Sequence, residues 1–554
     1  MKVSISEIEE AVKEIEDFSS LEMEGRTLEE SILRWSYLSD RLDELSAWSY
    51  INYTCETENE DFNKVFEFVI QSGEKTEPLF FKLKENFIKA MPEKYLEQKK
   101  YGFFTQIIKN EIDLFREENI ALGIEDANFS KEYQKIMSGL SIEYKGKEYT
   151  FQQAGRFLEE NDRNVRKEVW EKIYERFQKS SDEIGRIYTK LVLLRDKIAK
   201  NAGFENFRDY AHQAKKRFDY TPSDCFEFHS SIEKKVVPLV REFSEKRKQA
   251  MKLDSLKPYD LKTDELGRSP LCPFDNEKEL VEKTLKILNS LDPEIGSVLQ
   301  KMKEKGFLDL TSRKGKAPGG YNYGLPISGL AFIFMNAAGA EHDVITLLHE
   351  SGHALHSYLT AGEKISAYRN PTMEAAELAS MSMELITMDY WDVFYPDQED
   401  LKRAKLGHLK DIIGILPWIA AVDAFQHEIY LNPSLSEKER LVVWENTIRR
   451  FSGGADWKGY EDYLKISWQR QTHILEVPFY YIEYGIAQLG ALQIWKNYLE
   501  NPQKALQNYK KALQLGYQKP MREIYESAGI RFDFSEKMIS ELMDFVKAFI
   551  KTLE

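Results

Sequence analysis

The segment Leu347-Leu348-His349-Glu350-Ser351-Gly352-His353-Ala354-Leu355 sets two histidines four residues apart, with a glutamate directly after the first. On a helix this spacing puts both imidazoles on one face about one turn apart, where they can reach a single metal ion. Glu350 projects beside that face and can address a water activated by the ion. With 9 histidines and 92 acidic residues in the chain, chance supplies the pattern on the order of 0.02 times. Two satisfied histidines on a core helix are therefore the weaker explanation, and a further ligand is what separates the two readings.

That ligand is sought in the segment from Asn370 to Glu384, where Pro371 opens a helix with Glu374, Glu377 and Glu384 on one face. A carboxylate from this second helix would complete a His2Glu set and leave the fourth position for water, the arrangement of a catalytic rather than a closed structural site. Spacing alone leaves all three glutamates open. His356 falls on the same side of its helix as His349 but roughly 10 Å further along the axis, which assigns it to packing or to support of a ligand. Leu359 stands where a metzincin carries its third histidine, so that class is disfavoured.

The elements that must position these groups are mostly helical. The metal-binding helix is expected to begin near Asp343. Before it, Phe307 to Asn336 carries Gly315, Gly319, Gly320, Gly324 and Gly329 and then the apolar run Leu330–Asn336, which predicts a strand-rich patch. The first 140 residues show helical periodicity, as in Leu28, Ile32, Leu33, Trp35, Leu38, Leu42 and Leu45. Alternation from Ile142 to Phe151 around Lys145-Gly146 predicts a hairpin. A boundary near residue 160 follows, giving an N-terminal helical lobe over 1–160 and a catalytic domain over 161–554. Helical patterning resumes from Val165 to Ala202, and Pro258, Gly267, Pro270 and Pro273 mark an ordered surface connection over about 254–275.

The 554-residue chain exceeds the usual size of one core, and 42% hydrophobic with 31% charged residues describes a folded protein. A net charge of -15 repels phosphate backbones and anionic lipid surfaces, so neither nucleic acid nor membrane is an expected partner. Cys55, Cys225 and Cys272 form no C-x-x-C pair and read as isolated reduced thiols. The N-terminus has no secretory or transit pattern, and the apolar run Ile412–Val422, broken by Pro417, is too short to span a bilayer. A cytoplasmic location is expected; oligomeric state has no signature in the sequence.

Taken together, these segments resemble the thimet oligopeptidase and oligoendopeptidase F family of zinc metallopeptidases, its oligoendopeptidase F branch in particular. His349-Glu350-Ser351-Gly352-His353 is similar to the family's H-E-x-G-H core, and Glu377-Leu378-Ala379-Ser380 to its E-x-x-S signature, a likeness that selects Glu377 as third ligand. The resemblance extends to Leu256–Asp260, Pro318–Tyr321, Trp468–His473 and Pro478–Gly485, and more loosely to Asn161–Arg166. It implies a mostly α-helical, two-lobed zincin-type fold with a deep central cleft and a small β-sheet near the metal. It also implies one zinc ion per chain and short unfolded peptides as substrates, cut at internal bonds. Among its late residues it points to His473 and Tyr484 as donors to the oxyanion, with Tyr480 and Tyr481 as alternatives. Gly319, Gly320, Tyr321 and Phe332 are implied as substrate contacts, Phe332–Asn336 resembling a strand whose edge pairs with peptide. The competing readings are a helical zinc metallocarboxypeptidase and a non-catalytic helical peptide-binding protein.

Overall fold

A computed structural model describes residues 2–20, 27–91 and 101–554. Helices dominate, with one two-stranded and one three-stranded sheet among the described residues. The chain forms two compact units, each assembled from three separate stretches. The first comprises Met1–Asp113, Leu271–Lys405 and Ala487–Phe532, the second Leu114–Pro270, Leu406–Ile486 and Asp533–Glu554. This division differs from the single boundary expected near residue 160. The helices within residues 1–113 belong to the same unit as the H-E-x-x-H segment, and their apolar residues share a core with its sheet, whereas helix Glu118–Ser138 belongs to the second unit.

In the first unit, helix Leu28–Cys55 starts from a capping box in which Thr27 and Glu30 satisfy each other's backbone N–H groups. Its periodic residues Ile32, Trp35, Leu38, Leu42 and Leu45 are all buried. Trp48 from this helix meets Phe307 and Phe332 edge-on at ring distances of 5.1 and 5.8 Å. The expected strand patch is a three-stranded sheet in which Leu330–Ala337 lies in the middle. Leu308–Thr311 pairs with it in parallel and Tyr321–Leu325 antiparallel. A central strand covered on both faces needs apolar side chains throughout, which explains the unbroken run from Leu330 to Met335.

In the second unit the expected hairpin is present as Ser141–Tyr144 and Lys147–Thr150, turning through Lys145 and Gly146, both at positive φ. The stretch over 254–275 is anchored inward rather than lying wholly on the surface. Asp260 is fully buried and accepts from Arg163 at 2.8 Å and Arg166 at 2.9 Å, joining the segments Asn161–Arg166 and Leu256–Asp260. Burial alone would raise its carboxyl, but the hydrogen bonds from Arg163, the Lys257 backbone and Arg166 hold it below the ordinary aspartate value. Pro417 does not break its segment. Helix Gln398–Leu431 runs through it, since neighbouring packing holds a proline that costs one backbone bond. By length and composition this helix could cross a membrane, yet 72% of its apolar stretch is buried within the fold, as in a core helix.

Candidate metal centre

Two helices of the first unit build the centre. Asp343 Oδ2 accepts from the backbone N–H groups of Ala338 and Ala340, each at 2.8 Å, and so fixes the start of helix Glu341–Thr360. Helix Met373–Ile386 crosses it at Gly352. A Cβ at that position would lie 2.6 Å from both Ala379 O and Ser380 Cα, so only glycine allows an approach this close. Tyr509 Oη donates to Ala379 O at 2.7 Å from the far side, and Gly490 leaves room for Leu378, whose Cδ1 would lie 2.6 Å from a Cβ there. The second helix is thereby clamped against the first.

The crossing brings donor atoms of His349, His353 and Glu377 within 4.8 Å of one another. His349 Nε2 lies 3.4 Å and His353 Nε2 3.8 Å from Glu377 Oε2. Ligands bound at about 2.0–2.1 Å around a tetrahedral ion stand about 3.3–3.4 Å apart, so the donor set fits a zinc-sized cation. Behind it, His349 Nδ1 meets Glu384 Oε1 at 2.6 Å, the carboxylate–histidine pair that fixes the tautomer and ring plane of a metal ligand. Ser380 Oγ donates to Glu377 Oε2 at 3.2 Å and holds that carboxylate in turn. Glu374, the third glutamate of the face, is buried away from this group, with Tyr525 Oη bonded to its carbonyl.

Burial and neighbouring charges shift these groups in different directions. Burial lowers His349, but Glu377 and Glu384 outweigh it and hold the imidazole well above its ordinary value. Burial takes His353 down to about 4, and it pushes Glu350 up to about 7. Glu350 Oε2 is buried and meets no hydrogen-bond donor among the described residues, while its backbone carbonyl is tied to strand Tyr321–Leu325 by Asn322 Nδ2 at 3.1 Å. His356 is buried on the Leu513 carbonyl and neutral, in keeping with a packing role.

The other sequence-derived candidates fall into two groups. In the first unit, Gly319 turns at φ 97° and its carbonyl is held by Asn336 at 2.8 Å. Gly320 sits against the Phe334 carbonyl. Tyr321 stacks on Phe334 at 4.8 Å with its hydroxyl 2.6 Å from Thr54 Oγ1. Phe332 is 4% exposed, its side chain packed in the core with Trp48. Its strand is central and offers no free edge; the sheet's edge near the metal helix is Tyr321–Leu325.

In the second unit, His473 lies at ring distances of 5.6, 4.8 and 5.8 Å from Tyr480, Tyr481 and Tyr484. Gln471 Nε2 donates to His473 Nδ1 at 2.7 Å, leaving Nε2 as the proton-bearing nitrogen. Burial pushes Tyr481 up to about 12. The supporting residues that sequence reading missed are Glu384 as partner of His349, Tyr509, and Asn322. Only Glu384 had a signal, its position seven residues after Glu377.

A mostly helical fold that carries H-E-x-x-H on one helix and a glutamate on the next, around an ion-sized space, is that of a peptidase with a candidate metal centre. The chain belongs to peptidase family M3, whose family model matches residues 156–544. It is 24% identical over 549 residues to an oligoendopeptidase F homolog of Borreliella burgdorferi, covering 93% of this chain and 88% of that protein. It is 25% identical over 407 residues to the oligopeptidase PepF of Bacillus subtilis, covering 70% of this chain and 58% of that one. The solved structure of Pz peptidase A with an inhibitor superposes with a TM-score of 0.90 at 28% identity, over 100% of this chain and 98% of the other.

Proposed function

We propose that this chain is a zinc-dependent endopeptidase that hydrolyses internal bonds of short, unfolded oligopeptides in a reducing compartment such as the cytosol. The observation that carries this reading is a set of three candidate ligand atoms within 4.8 Å of one another beside a buried glutamate oxygen that meets no donor among the described residues. His349, His353 and Glu377 would hold the ion and Glu384 would fix His349. When bound, zinc supplies Lewis acidity, acidifying a water and polarising the scissile carbonyl. Glu350 takes the proton of the attacking water on its carboxylate and delivers it to the leaving amine. The edge strand Tyr321–Leu325 offers backbone donors and acceptors to an extended peptide, which gives affinity with weak dependence on side chains. On chemical grounds His473 and Tyr484 are assigned as hydrogen-bond donors to the developing oxyanion.

The test is mass spectrometry of an end-blocked peptide ladder, about 5 to 40 residues long, incubated with wild type, chelated wild type and Glu350→Gln. Internal cuts confined to the shorter peptides, and lost on chelation and in the variant, are expected. Cuts indifferent to both treatments would sink the zinc mechanism. Loss of C-terminal residues from unblocked peptides alone would identify a carboxypeptidase.

A further inference from the structure

Away from this centre, the second unit contains a cluster of metal-ligating side chains to which the peptidase reading gives no role. Helix Pro222–Lys235 presents Cys225 and His229, and the part of helix Gln398–Leu431 that belongs to the same unit presents Asp423 and His427. Each pair is spaced by four residues, so each occupies one face of its helix, and the two faces meet. Donor atoms of Cys225, Asp423 and His427 all lie within 4.8 Å of one another. His229 Nε2 donates to Asp423 Oδ2 at 2.8 Å, and His427 Nε2 lies 3.1 Å from the same oxygen. We propose that Cys225, Asp423 and His427 bind a second, structural zinc ion that cross-links these two helices, with His229 orienting the aspartate.

Burial makes the case. Cys225 and Asp423 are 0% exposed, His427 2% and His229 4%. Asp423 Oδ1 and His427 Nδ1 are both buried without a hydrogen-bond partner among the described residues. With Nε2 of His427 directed at Asp423, its Nδ1 carries a lone pair, as does Asp423 Oδ1. Two buried lone pairs that meet no hydrogen-bond partner among the described residues, next to a thiol that can ionise, suit a cation. A divalent ion balances one thiolate and one carboxylate, so the buried group becomes neutral overall. Thiolate and imidazole together select zinc over magnesium or calcium, and full burial closes the site to substrate.

The site also has a mechanical consequence within its unit. The ring of His427 packs 5.3 Å from Phe479, and Gln426 Oε1 accepts the Phe479 N–H at 2.9 Å. Phe479 has φ 63°, a strained conformation for a phenylalanine, and it immediately precedes Tyr480 and Tyr481. A metal cross-link at His427 braces the turn that sets out the tyrosines around His473.

The experiment is metal analysis of the full-length, zinc-loaded and desalted protein, paired with cobalt substitution. Wild type should carry about two ions per chain and the His349→Ala/His353→Ala variant about one. The cobalt forms of both should show a thiolate-to-cobalt charge-transfer band in the near ultraviolet, which the His349–His353–Glu377 set cannot give because it contains no sulphur. Cys225→Ser should abolish the band and Asp423→Asn should weaken binding at this site alone. If Cys225→Ser does not fold, the His349→Ala/His353→Ala variant still decides, because it leaves the second unit untouched. One ion in wild type, none in that variant and no charge-transfer band in either would overturn the proposal.

Discussion

His349 is held from two sides by carboxylates with separable duties. Glu377 would share the ion with it, whereas Glu384 meets its other nitrogen at 2.6 Å. Glu384→Gln is therefore expected to weaken zinc affinity by about 10–100-fold, measured by competition with a graded chelator, while the fully loaded variant keeps much of its turnover. Glu350→Gln should behave in the opposite way. Zinc content stays at the wild-type level and turnover falls by about 10²–10⁴-fold, so single-turnover kinetics on loaded enzyme separates the two glutamates. A Glu350→Gln protein that cleaves as fast as wild type would remove it as the base. The sequence showed both histidines and Glu350 through spacing alone, because one helical turn fixes their relation. It left Glu374, Glu377 and Glu384 equivalent, since their order around the ion depends on how a second helix crosses the first.

That crossing is an element-scale property and hinges on Gly352. Gly352→Ala forces a methyl group against backbone atoms of Ala379 and Ser380 that cannot step aside. The expected cost is about 1–3 kcal/mol of stability, read as a lower melting temperature, together with weaker zinc binding as Glu377 is pushed from the histidines. In the second unit, Asp260→Asn leaves Arg166, 2% exposed, without its anionic partner; a loss of about 3–5 kcal/mol is expected. Because the Asp260 carboxyl sits below the ordinary aspartate value, its stabilisation is complete above the unfolded-state pKa and disappears as pH falls through the lower folded one. Denaturant melts at stepped pH should show the wild-type advantage flat through neutrality and closing in acid. The hairpin at Lys145-Gly146 was legible because turn and strands are adjacent in sequence. The sheet order was not, as the central place of Leu330–Ala337 comes from pairing with strands on both sides.

For the whole molecule, the decisive feature is that each compact unit is gathered from three stretches of chain. The family model begins at residue 156, yet the unit with the metal centre also draws on residues 1–113, whose Val3, Ile8, Trp48 and Ile51 share a core with Phe332 and Phe334. A fragment of residues 161–554 would expose that apolar surface and is expected to aggregate or to bind no zinc, which a solubility and metal assay of the fragment would show. No periodicity could reveal this, because it depends on which distant segments meet. The clamp on helix Met373–Ile386 by Gly490 and Tyr509 carries a consequence for synthesis. The candidate ligands His349, His353 and Glu377 leave the ribosome well before the residues that hold them together. A nascent chain therefore carries the whole candidate ligand set before Gly490 and Tyr509, which clamp the second helix, have been made.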